Sequence, residues 1–160
     1  MVYTIGVADL KISWDVMDVL ITYALGSCLG VTVYDIRLKR AGLLHCMLPD
    51  SSIDRTKAVG NPCMYVDSGM KVLLDDFYRN GSLKNDLIIR VAGASSSKVN
   101  EEEDFFQIGR RNFVSLRKYL WNEGIMLKAY DVGGCGSRTV TLDVENGKML
   151  VKSKGSLKEL

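Results

Sequence analysis

The chain has 160 residues, of which 47% are hydrophobic and 25% are charged, and its formal net charge is +2. This balance is typical of a folded globular protein and excludes an intrinsically disordered chain. Because 21 basic residues are offset by 19 acidic ones, the chain lacks the basic excess of a nucleic-acid-binding protein.

Neither a secretion signal nor a membrane span is recognisable in the sequence. Residues 1–6 lack a basic segment followed by an apolar one, and no apolar run approaches the ~20 residues of a membrane-spanning helix. We therefore expect a cytoplasmic protein without direct membrane insertion, in which the cysteines at positions 28, 46, 63 and 135 are free thiols. Their spacing, together with a single histidine, does not match a zinc site, so neither a metal nor another cofactor is expected.

The first predicted elements are strands around two turns. Residues 20–25 are apolar and β-prone, and Gly26 and Ser27 interrupt them. Alternating apolar residues then predict a strand over 28–34, and a polar loop leads to another strand over 42–48 that a proline ends. We predict that the last two strands form an antiparallel hairpin.

Two main helices are predicted further along the chain. The first begins near Asn61 and Pro62, which resemble an N-cap and a first-turn proline, and it ends at Asn80. The second covers about 109–122 and has Gly124 as its C-cap. The residues expected to face inward are Val66, Met70, Leu73, Leu74 and Phe77 in the first helix, and Phe113, Leu116, Leu120 and Trp121 in the second.

The remaining predicted strands cover residues 87–92, 126–132, 139–144 and 148–152. An Asn146-Gly147 turn joins the last two. No linker or repeat interrupts the sequence, so we expect one domain over residues 1–160. The expected fold is α+β, strand-rich with two main helices.

A cysteine directly follows the Gly26-Ser27 turn. A thiol in that place can attack a carbonyl carbon while neighbouring backbone N–H groups stabilise the resulting oxyanion. Cys28 is therefore a candidate nucleophile, with Gly26 and Ser27 as backbone support. Most free cysteines are buried and inert, so a structural thiol is the alternative.

The predicted hairpin brings the single histidine toward that cysteine. A loop centred between residues 36 and 39 places Gly30 opposite His45, so that Cys28 and His45 become diagonal neighbours on one sheet face. Gly30 has no side chain, which should leave the imidazole room to approach the thiol. A one-residue slip would separate the pair, and a structural histidine is the alternative interpretation.

A cysteine–histidine pair needs a third group to orient the imidazole. Thr22, on the preceding strand, can accept the ring N–H, or it can be an ordinary strand residue. Cys46 alternates to the opposite face from the histidine, and Cys63 and Cys135 lie elsewhere, so we predict structural roles for these three. Residues 133–136 are glycine-rich, but no helix start or Lys-Ser/Thr follows, which favours a tight turn over a phosphate-binding loop.

Two blocks of the sequence resemble the signature blocks of the CheD family, TYALGSCLG at residues 22–30 and HCMLP at residues 45–49. The segments YVD at 65–67, IGRRN at 108–112, and DVGG at 131–134 with Arg138 follow in the order of that family. The resemblance covers essentially the whole chain. It implies an α/β/β layered sandwich, in which packed β-sheets carry the two main helices on one side.

The resemblance also implies a cysteine-dependent enzyme of bacterial chemotaxis. In that family the equivalents of Thr22, Cys28 and His45 form a catalytic triad, which converts glutamines of methyl-accepting chemotaxis receptors to glutamates. We expect His45 to lower the pKa of the thiol, a thioester intermediate, and a shallow, exposed groove that admits an intact receptor helix. Candidate contacts with substrate or partner are Gly30, Asp131, Gly133, Gly134 and Arg138.

Other functions stay open at this point. CheD-like proteins in some bacteria bind a CheC-type phosphatase of the response regulator, so a binding module is an alternative, and an unrelated cysteine amidase is a further one. The chain departs from the family at residues 92–97 and in an acidic insert at 99–104. We expect the acidic residues to form a solvated loop.

Overall fold

The computed structural model describes residues 1–160, which contain ten strands and three α-helices. The strands are β1 (Val2–Thr4), β2 (Asp9–Ser13), β3 (Val19–Leu25), β4 (Leu29–Asp35), β5 (Arg40–Cys46), β6 (Leu87–Gly93), β7 (Leu127–Val132), β8 (Arg138–Asp143), β9 (Met149–Ser153) and β10 (Ser156–Glu159). They form two five-stranded sheets. The inner sheet has the order β2-β5-β4-β6-β7, and the outer sheet has the order β1-β3-β8-β9-β10.

The helices lie in the connections between strands. They are α1 (Arg55–Gly60), α2 (Val66–Arg79) and α3 (Ile108–Glu123). Short 3₁₀ turns occur at Ser51–Ile53, Pro62–Met64, Lys84–Asp86 and Glu101–Glu103. None of the helices combines the length and the apolar composition that a membrane crossing demands.

These elements stack in three layers, with α2 and α3 on the inner sheet and the inner sheet on the outer one. One apolar cluster fills the space between the helices and the inner sheet, and a second fills the space between the sheets. Because the inner sheet is covered on both faces, every residue of β4 and β5 is buried. The predicted strand-rich α+β fold, with two main helices on one side of packed sheets, is confirmed.

The hairpin of β4 and β5 has the register that the sequence predicted. Gly30 pairs with His45, and the connecting loop is held by the Asp35 carboxylate, which accepts the backbone N–H groups of Arg37 and Leu38 at 2.9 Å each. Alternation along the two strands sends Gly30 and His45 toward the outer sheet. The histidine therefore points into the space between the sheets.

A β-bulge interrupts β3 shortly before Cys28. The pairing of β3 with β8 shifts between Thr22 and Leu25, and Ala24 has a left-handed φ of 56°. The extra residue leaves two consecutive side chains, Tyr23 and Ala24, exposed, while Thr22 and Leu25 are both buried. Thr22 thus points inward by the regular alternation of β3, and the bulge turns Leu25 inward as well before the chain reaches the cysteine.

The first main helix begins later than the sequence predicted. Pro62 starts a 3₁₀ turn, and Tyr65 is extended, with φ −111° and ψ 144°. The Met64 carbonyl accepts the backbone N–H of Leu48 at 2.9 Å, so this stretch pairs with the chain beyond β5. That tertiary pairing overrides the local helix signal, and α2 starts only at Val66.

The prediction that Trp121 faces inward is wrong, because its side chain is 85% exposed. The buried stripe of α3 is Gly109, Asn112, Leu116 and Leu120, and Trp121 lies about 100° around the helix from the last of these. The apolar residues predicted to face inward on α2 are all buried. The sequence did not predict β1, β2, β10 or α1, which have mostly exposed or half-buried residues.

Candidate active site

Thr22 and His45 meet between the two sheets. Thr22 belongs to β3 of the outer sheet and His45 to β5 of the inner sheet, and their side chains are 0% and 1% exposed. The Oγ1 atom of Thr22 lies 2.8 Å from Nδ1 of His45 and 2.7 Å from the carbonyl oxygen of Ile5. Each sheet therefore contributes one partner of this contact.

The contact defines which nitrogen of the imidazole carries the proton. The hydroxyl of Thr22 has a single proton, and it donates that proton to the Ile5 carbonyl, which can only accept. Toward His45 the hydroxyl acts as the acceptor, so the neutral ring is protonated at Nδ1. The Nε2 atom then carries a lone pair, is buried, and has no hydrogen-bond partner in the chain. Such a nitrogen can take a proton from a thiol.

Cys28 lies beside the same space between the sheets. It precedes β4 and is two residues from Gly30, the pairing partner of His45, so the alternation of the strand directs its side chain toward the same sheet face as the imidazole. The side chain packs against the apolar cluster between the sheets and is partly exposed. Its sulfur does not hydrogen-bond to Nε2 in the resting geometry. Cys28 is thus partly exposed as a residue, whereas His45 is buried.

Burial sets the protonation states of both groups. Desolvation raises the pKa of the Cys28 thiol above its ordinary value of 9.0, and the backbone N–H of the same residue opposes this only in part. Desolvation also lowers the pKa of His45 below 6.5. The resting pair is therefore a neutral thiol and a neutral imidazole. The expectation that His45 lowers the pKa of the resting thiol is wrong, because burial dominates and no hydrogen bond joins the two groups.

The Cys28 turn, residues 26–28, is held through its carbonyl groups. Each carbonyl oxygen accepts one hydrogen bond of 2.9 Å: Gly26 from the Ser95 N–H, Ser27 from the Asn112 side-chain amide, and Cys28 from the Ala94 N–H. The backbone N–H groups of Gly26 and Ser27 donate to no acceptor in the chain, and that of Cys28 faces only its own thiol. Since every peptide bond is trans, an N–H points away from the carbonyl before it. The N–H groups of Ser27 and Cys28 are thus directed away from the buried Ser95 and Asn112, as an oxyanion site requires.

Gly93 makes the close approach of its segment to the Cys28 turn possible. Its φ of +121° lies in a region that side chains rarely adopt, and a Cβ atom would overlap the carbonyl oxygen of Cys28. Ala94 follows with a left-handed φ of 53°. These two conformations aim the N–H groups of Ala94 and Ser95 at the turn.

The outer sheet fills the space above Gly30. A Cβ atom at this position would lie 2.7 Å from Cδ1 of Leu25 and 3.5 Å from Cγ2 of Thr22. The expectation that the missing side chain leaves the imidazole room to move is therefore wrong. Gly30 is buried and lets the two sheets approach each other, so it does not present a surface to a substrate.

Arg138 lies inside the protein and supports the segment that holds the Cys28 turn. It is 8% exposed, and its guanidinium donates to the Gly93 carbonyl at 3.0 Å, to Ser95 Oγ at 2.8 Å and to the Gly133 carbonyl at 2.8 Å. Asp131 is its ion-pair partner at 3.5 Å. The predicted binding residues Asp131, Gly133 and Arg138 thus form one internal network, which does not leave the arginine available to a protein helix.

The acidic insert, residues 99–104, contacts the neighbouring glycine-rich loop. The N–H of Gly134, an exposed residue, donates to the carboxylate of Glu101 at 2.7 Å. Glu101 begins a 3₁₀ turn, and the other two glutamates of that turn are exposed. The three glutamates are therefore on the surface, as expected, whereas the half-buried Asp104 accepts hydrogen bonds from Ser96, Ser97 and Gln107.

The remaining cysteines lie away from the imidazole. Cys46 is fully buried on the helix-facing side of the inner sheet, and burial raises its pKa. Burial likewise raises the pKa of Cys63. Cys135 is partly exposed and accepts from Nζ of Lys154 at 3.6 Å. No three His, Cys, Asp or Glu side chains are grouped so that they could hold a metal ion.

The surroundings of Cys28 are open in shape. Of three cavities of about 430, 530 and 340 Å³, none is lined by Thr22, Cys28 or His45, and the first is lined by Ala94 and Ser95, whose N–H groups hold the Cys28 turn. Tyr23, just before the Cys28 turn, is 52% exposed, and a Cβ atom at Gly26 would meet nothing within 4 Å. The chain next to Cys28 is therefore exposed at Tyr23 and uncrowded at Gly26.

Asn112 is a residue of this site that the sequence reasoning did not assign. It is 0% exposed on α3, and its amide binds the Ser27 carbonyl of the Cys28 turn. A polar residue on the otherwise apolar buried stripe of the helix is the signal that could have identified it.

Comparison with known proteins places the chain in a family. A family model described as CheD chemotactic sensory transduction matches residues 47–153. A protein of Syntrophus aciditrophicus named "Probable chemoreceptor glutamine deamidase CheD 1" is 41% identical over 157 residues, which cover 98% of this chain and 97% of that protein. A Solibacter usitatus protein named "Probable chemoreceptor glutamine deamidase CheD" is 41% identical over 156 residues, covering 98% and 91%.

A protein of the same name from Syntrophomonas wolfei is 38% identical over 152 residues, which cover 94% of this chain and 92% of the relative. The family model begins two residues after His45, whereas the Syntrophus and Solibacter alignments each cover 98% of this chain. These matches confirm the resemblance seen in the signature blocks. The chain belongs to the CheD family.

Proposed function

We propose that this chain is a protein-glutamine deamidase that acts on chemoreceptors, with Cys28 as nucleophile, His45 as general base and acid, and Thr22 as the group that orients the imidazole. One observation carries the proposal. A buried imidazole, fixed at Nδ1 by Thr22 and with a lone pair on Nε2, shares a sheet face with a partly exposed thiol. The names of the relatives, which cover nearly the whole of residues 1–160, support the substrate class and a single functional domain.

In the first step, proton transfer accompanies nucleophilic attack. Because the resting thiol is neutral, Nε2 of His45 takes its proton as the sulfur of Cys28 attacks the carboxamide carbon of a glutamine. A C–S bond forms, and the C=O π electrons move onto oxygen as the oxyanion. Thr22 holds the resulting imidazolium by accepting from Nδ1–H throughout this step.

The oxyanion needs donors that are already in place. The N–H group of Ser27 has no acceptor in the chain, that of Cys28 faces only its own thiol, and both belong to a turn whose carbonyls are fixed on the opposite side. Preformed donors of this kind stabilise a developing charge without reorganisation. These two groups are the oxyanion site of the proposed reaction.

The second half of the reaction releases ammonia and then glutamate. His45 returns its proton to the departing nitrogen, the C–N bond breaks, and a thioester with Cys28 remains. Nε2 then deprotonates a water molecule that attacks the thioester carbon. The C–S bond breaks, the sulfur regains the proton, and the substrate keeps a glutamate side chain.

The open surroundings of Cys28 fit a protein substrate. The glutamines in question lie on the cytoplasmic helices of receptors, and a helix must approach the thiol from the surface. Cys28 is partly exposed, and the three cavities described above do not enclose it. An accessible thiol beside a buried base allows one glutamine side chain to enter while its helix stays outside.

The test uses the purified chain and a cytoplasmic fragment of a chemoreceptor from the same organism. Peptide mass spectrometry should show the mass increase that accompanies conversion of glutamine to glutamate, and ammonia should be released in equal amount. The Cys28→Ala and His45→Gln variants should lower the rate by about 10³-fold or more. The Cys135→Ala variant removes another partly exposed thiol and should keep the native rate.

Retained deamidation in folded Cys28→Ala would exclude the proposed nucleophile. Turnover of small amides without modification of the receptor fragment would favour the cysteine amidase alternative. Binding to a CheC-type phosphatase stays a separate prediction, which the same variant tests, because Cys28→Ala should bind that partner as the native chain does.

A further inference from the structure

Asn112 joins the two chain segments that carry the proposed nucleophile and base. Its side-chain amide lies 2.9 Å from the carbonyl oxygen of Ser27 and 3.0 Å from that of Met47. Ser27 immediately precedes Cys28, and Met47 is two residues beyond His45. One NH₂ group thus binds the Cys28 turn and the end of the histidine strand at the same time.

The helix that carries this residue is a fixed support. At Gly109, one turn earlier on α3, a Cβ atom would lie 2.6 Å from the carbonyl oxygens of Ala94 and Ser95, so the helix packs directly on the segment that binds the Cys28 turn. One turn later, the hydroxyl of Ser115 donates to the Pro49 carbonyl at 2.6 Å. The packing at Gly109 therefore fixes the helix on the segment that binds the Cys28 turn, and the Ser115 hydrogen bond holds a separate stretch of chain.

The carboxamide of Asn112 is committed to two backbone carbonyls. Both of its donor hydrogens are used, while its Oδ1 atom is buried and has no partner in the chain. An apolar residue at this position would leave the carbonyl oxygens of Ser27 and Met47 without this donor. The side chain therefore fixes the Cys28 turn to the end of the histidine strand.

We propose that Asn112 is a positioning residue that fixes the Ser27–Cys28 peptide and thereby aims the Cys28 N–H at the oxyanion. The inference rests on the deamidase function proposed above. In a trans peptide the N–H points opposite to the carbonyl, so holding the Ser27 carbonyl on the helix side directs the Cys28 N–H to the other side. Without the Asn112 donor this peptide can rotate and remove its N–H from the reaction.

Two reactions of the same thiol separate this role from a general structural one. Deamidation passes through a tetrahedral oxyanion, whereas alkylation of Cys28 by iodoacetamide is a displacement at a methylene carbon and forms none. The Asn112→Ala variant should lower kcat for deamidation by about 10²-fold, which is the loss typical of an oxyanion donor. Its KM and its rate of Cys28 alkylation, measured on the modified peptide, should stay within about twofold of the native values.

A matched control and a graded variant complete the experiment. Ser115→Ala removes a hydrogen bond from the same helix to a different backbone carbonyl and should keep the native ratio of deamidation to alkylation. Asn112→Ser retains one shorter donor and should give an intermediate kcat. The thermal unfolding of every variant is measured beside the kinetics.

Several outcomes would contradict the positioning role of Asn112. The positioning role is overturned if a folded Asn112 variant keeps the native ratio of deamidation rate to Cys28 alkylation rate. This includes the case in which both rates fall by the same factor. Loss of the folded state in both Asn112 variants also overturns it, because the residue is then structural. If the native protein is alkylated at Cys28 but does not deamidate a receptor fragment, the proposed function itself is overturned. This outcome is seen with the native protein alone, so it is distinct from failure of the positioning role.

Discussion

Thr22 Oγ1 accepts the Nδ1 proton of His45 at 2.8 Å while it donates its own proton to the Ile5 carbonyl at 2.7 Å. The two hydrogen bonds leave the hydroxyl no alternative role, so the orientation of the imidazole is fixed from the outer sheet. In many hydrolases a carboxylate performs this task, and it also stabilises the imidazolium by its charge. A neutral hydroxyl supplies the orientation without the charge, which agrees with a resting site in which the imidazole is neutral.

Replacing Thr22 by valine should therefore impair both catalysis and folding. Valine has nearly the same shape but leaves Nδ1–H and the Ile5 carbonyl without partners, which should cost about 1–3 kcal/mol of stability. The free ring can then adopt the other tautomer, and we expect kcat for deamidation to fall by about 10–100-fold. Steady-state kinetics on a receptor fragment and urea unfolding measure the two effects.

Thr22→Ser is the matched control for that experiment. Serine keeps the hydroxyl and loses only the methyl group near Gly30, so most of the activity should remain. Equal activity of the valine and serine variants would show that the hydroxyl does not orient the base.

Gly93→Ala should displace the Cys28 turn. A Cβ atom there would overlap the Cys28 carbonyl oxygen, and the φ of +121° is itself unfavourable for alanine. Backbone atoms cannot yield as a flexible side chain can, so we expect a loss of about 3 kcal/mol or more in the free energy of unfolding. Urea denaturation followed by far-UV circular dichroism is a direct measurement.

Gly60→Ala serves as the comparison for Gly93. It lies at the end of α1, where an added Cβ atom would meet nothing within 4 Å, and it should leave stability unchanged or slightly higher. Equal stabilities of the two alanine variants would contradict the close approach at Gly93.

Much of the fold could be predicted because its central elements have strong local patterns. The apolar stripe of α2 and the register of the β4–β5 hairpin follow from side-chain periodicity and loop length, and both were predicted. The short elements β1, β10 and α1 carry no such pattern, because their residues are largely exposed. The sequence predicted that the first main helix begins at Pro62, but Tyr65 pairs with Leu48 and α2 begins only after it. This pairing is a tertiary effect that the local sequence does not contain.

The candidate site was predictable in its residues but not in its energetics. The register placed Cys28 beside His45, and the family resemblance supplied Thr22. The protonation states depend on burial between two sheets, which a single sequence does not reveal, and so the effect on the thiol pKa was predicted in the wrong direction. The role of Arg138 was missed for a similar reason, since only the fold shows that its guanidinium is internal.

Arg138→Lys tests that internal role. The guanidinium donates to three groups in different directions, and a single ammonium cannot reproduce this geometry. Losing one or two charged hydrogen bonds in a buried place should lower the free energy of unfolding by about 2–4 kcal/mol. A variant of native stability that fails to bind receptor or partner would instead make Arg138 a contact residue.

The pH dependence of the native chain should reflect the neutral resting pair. Burial lowers the pKa of His45, so protonation should remove the base, and with it the deamidation rate, only below pH 6.5. Burial raises the pKa of Cys28, so its alkylation by iodoacetamide should increase with pH and level off only above 9.0. The alkylation is measured in a Cys135→Ser variant, in which Cys28 is the one partly exposed cysteine that remains. A preformed thiolate–imidazolium pair would give the opposite behaviour, with alkylation already independent of pH near neutrality, because the sulfur would be charged before any reagent arrives.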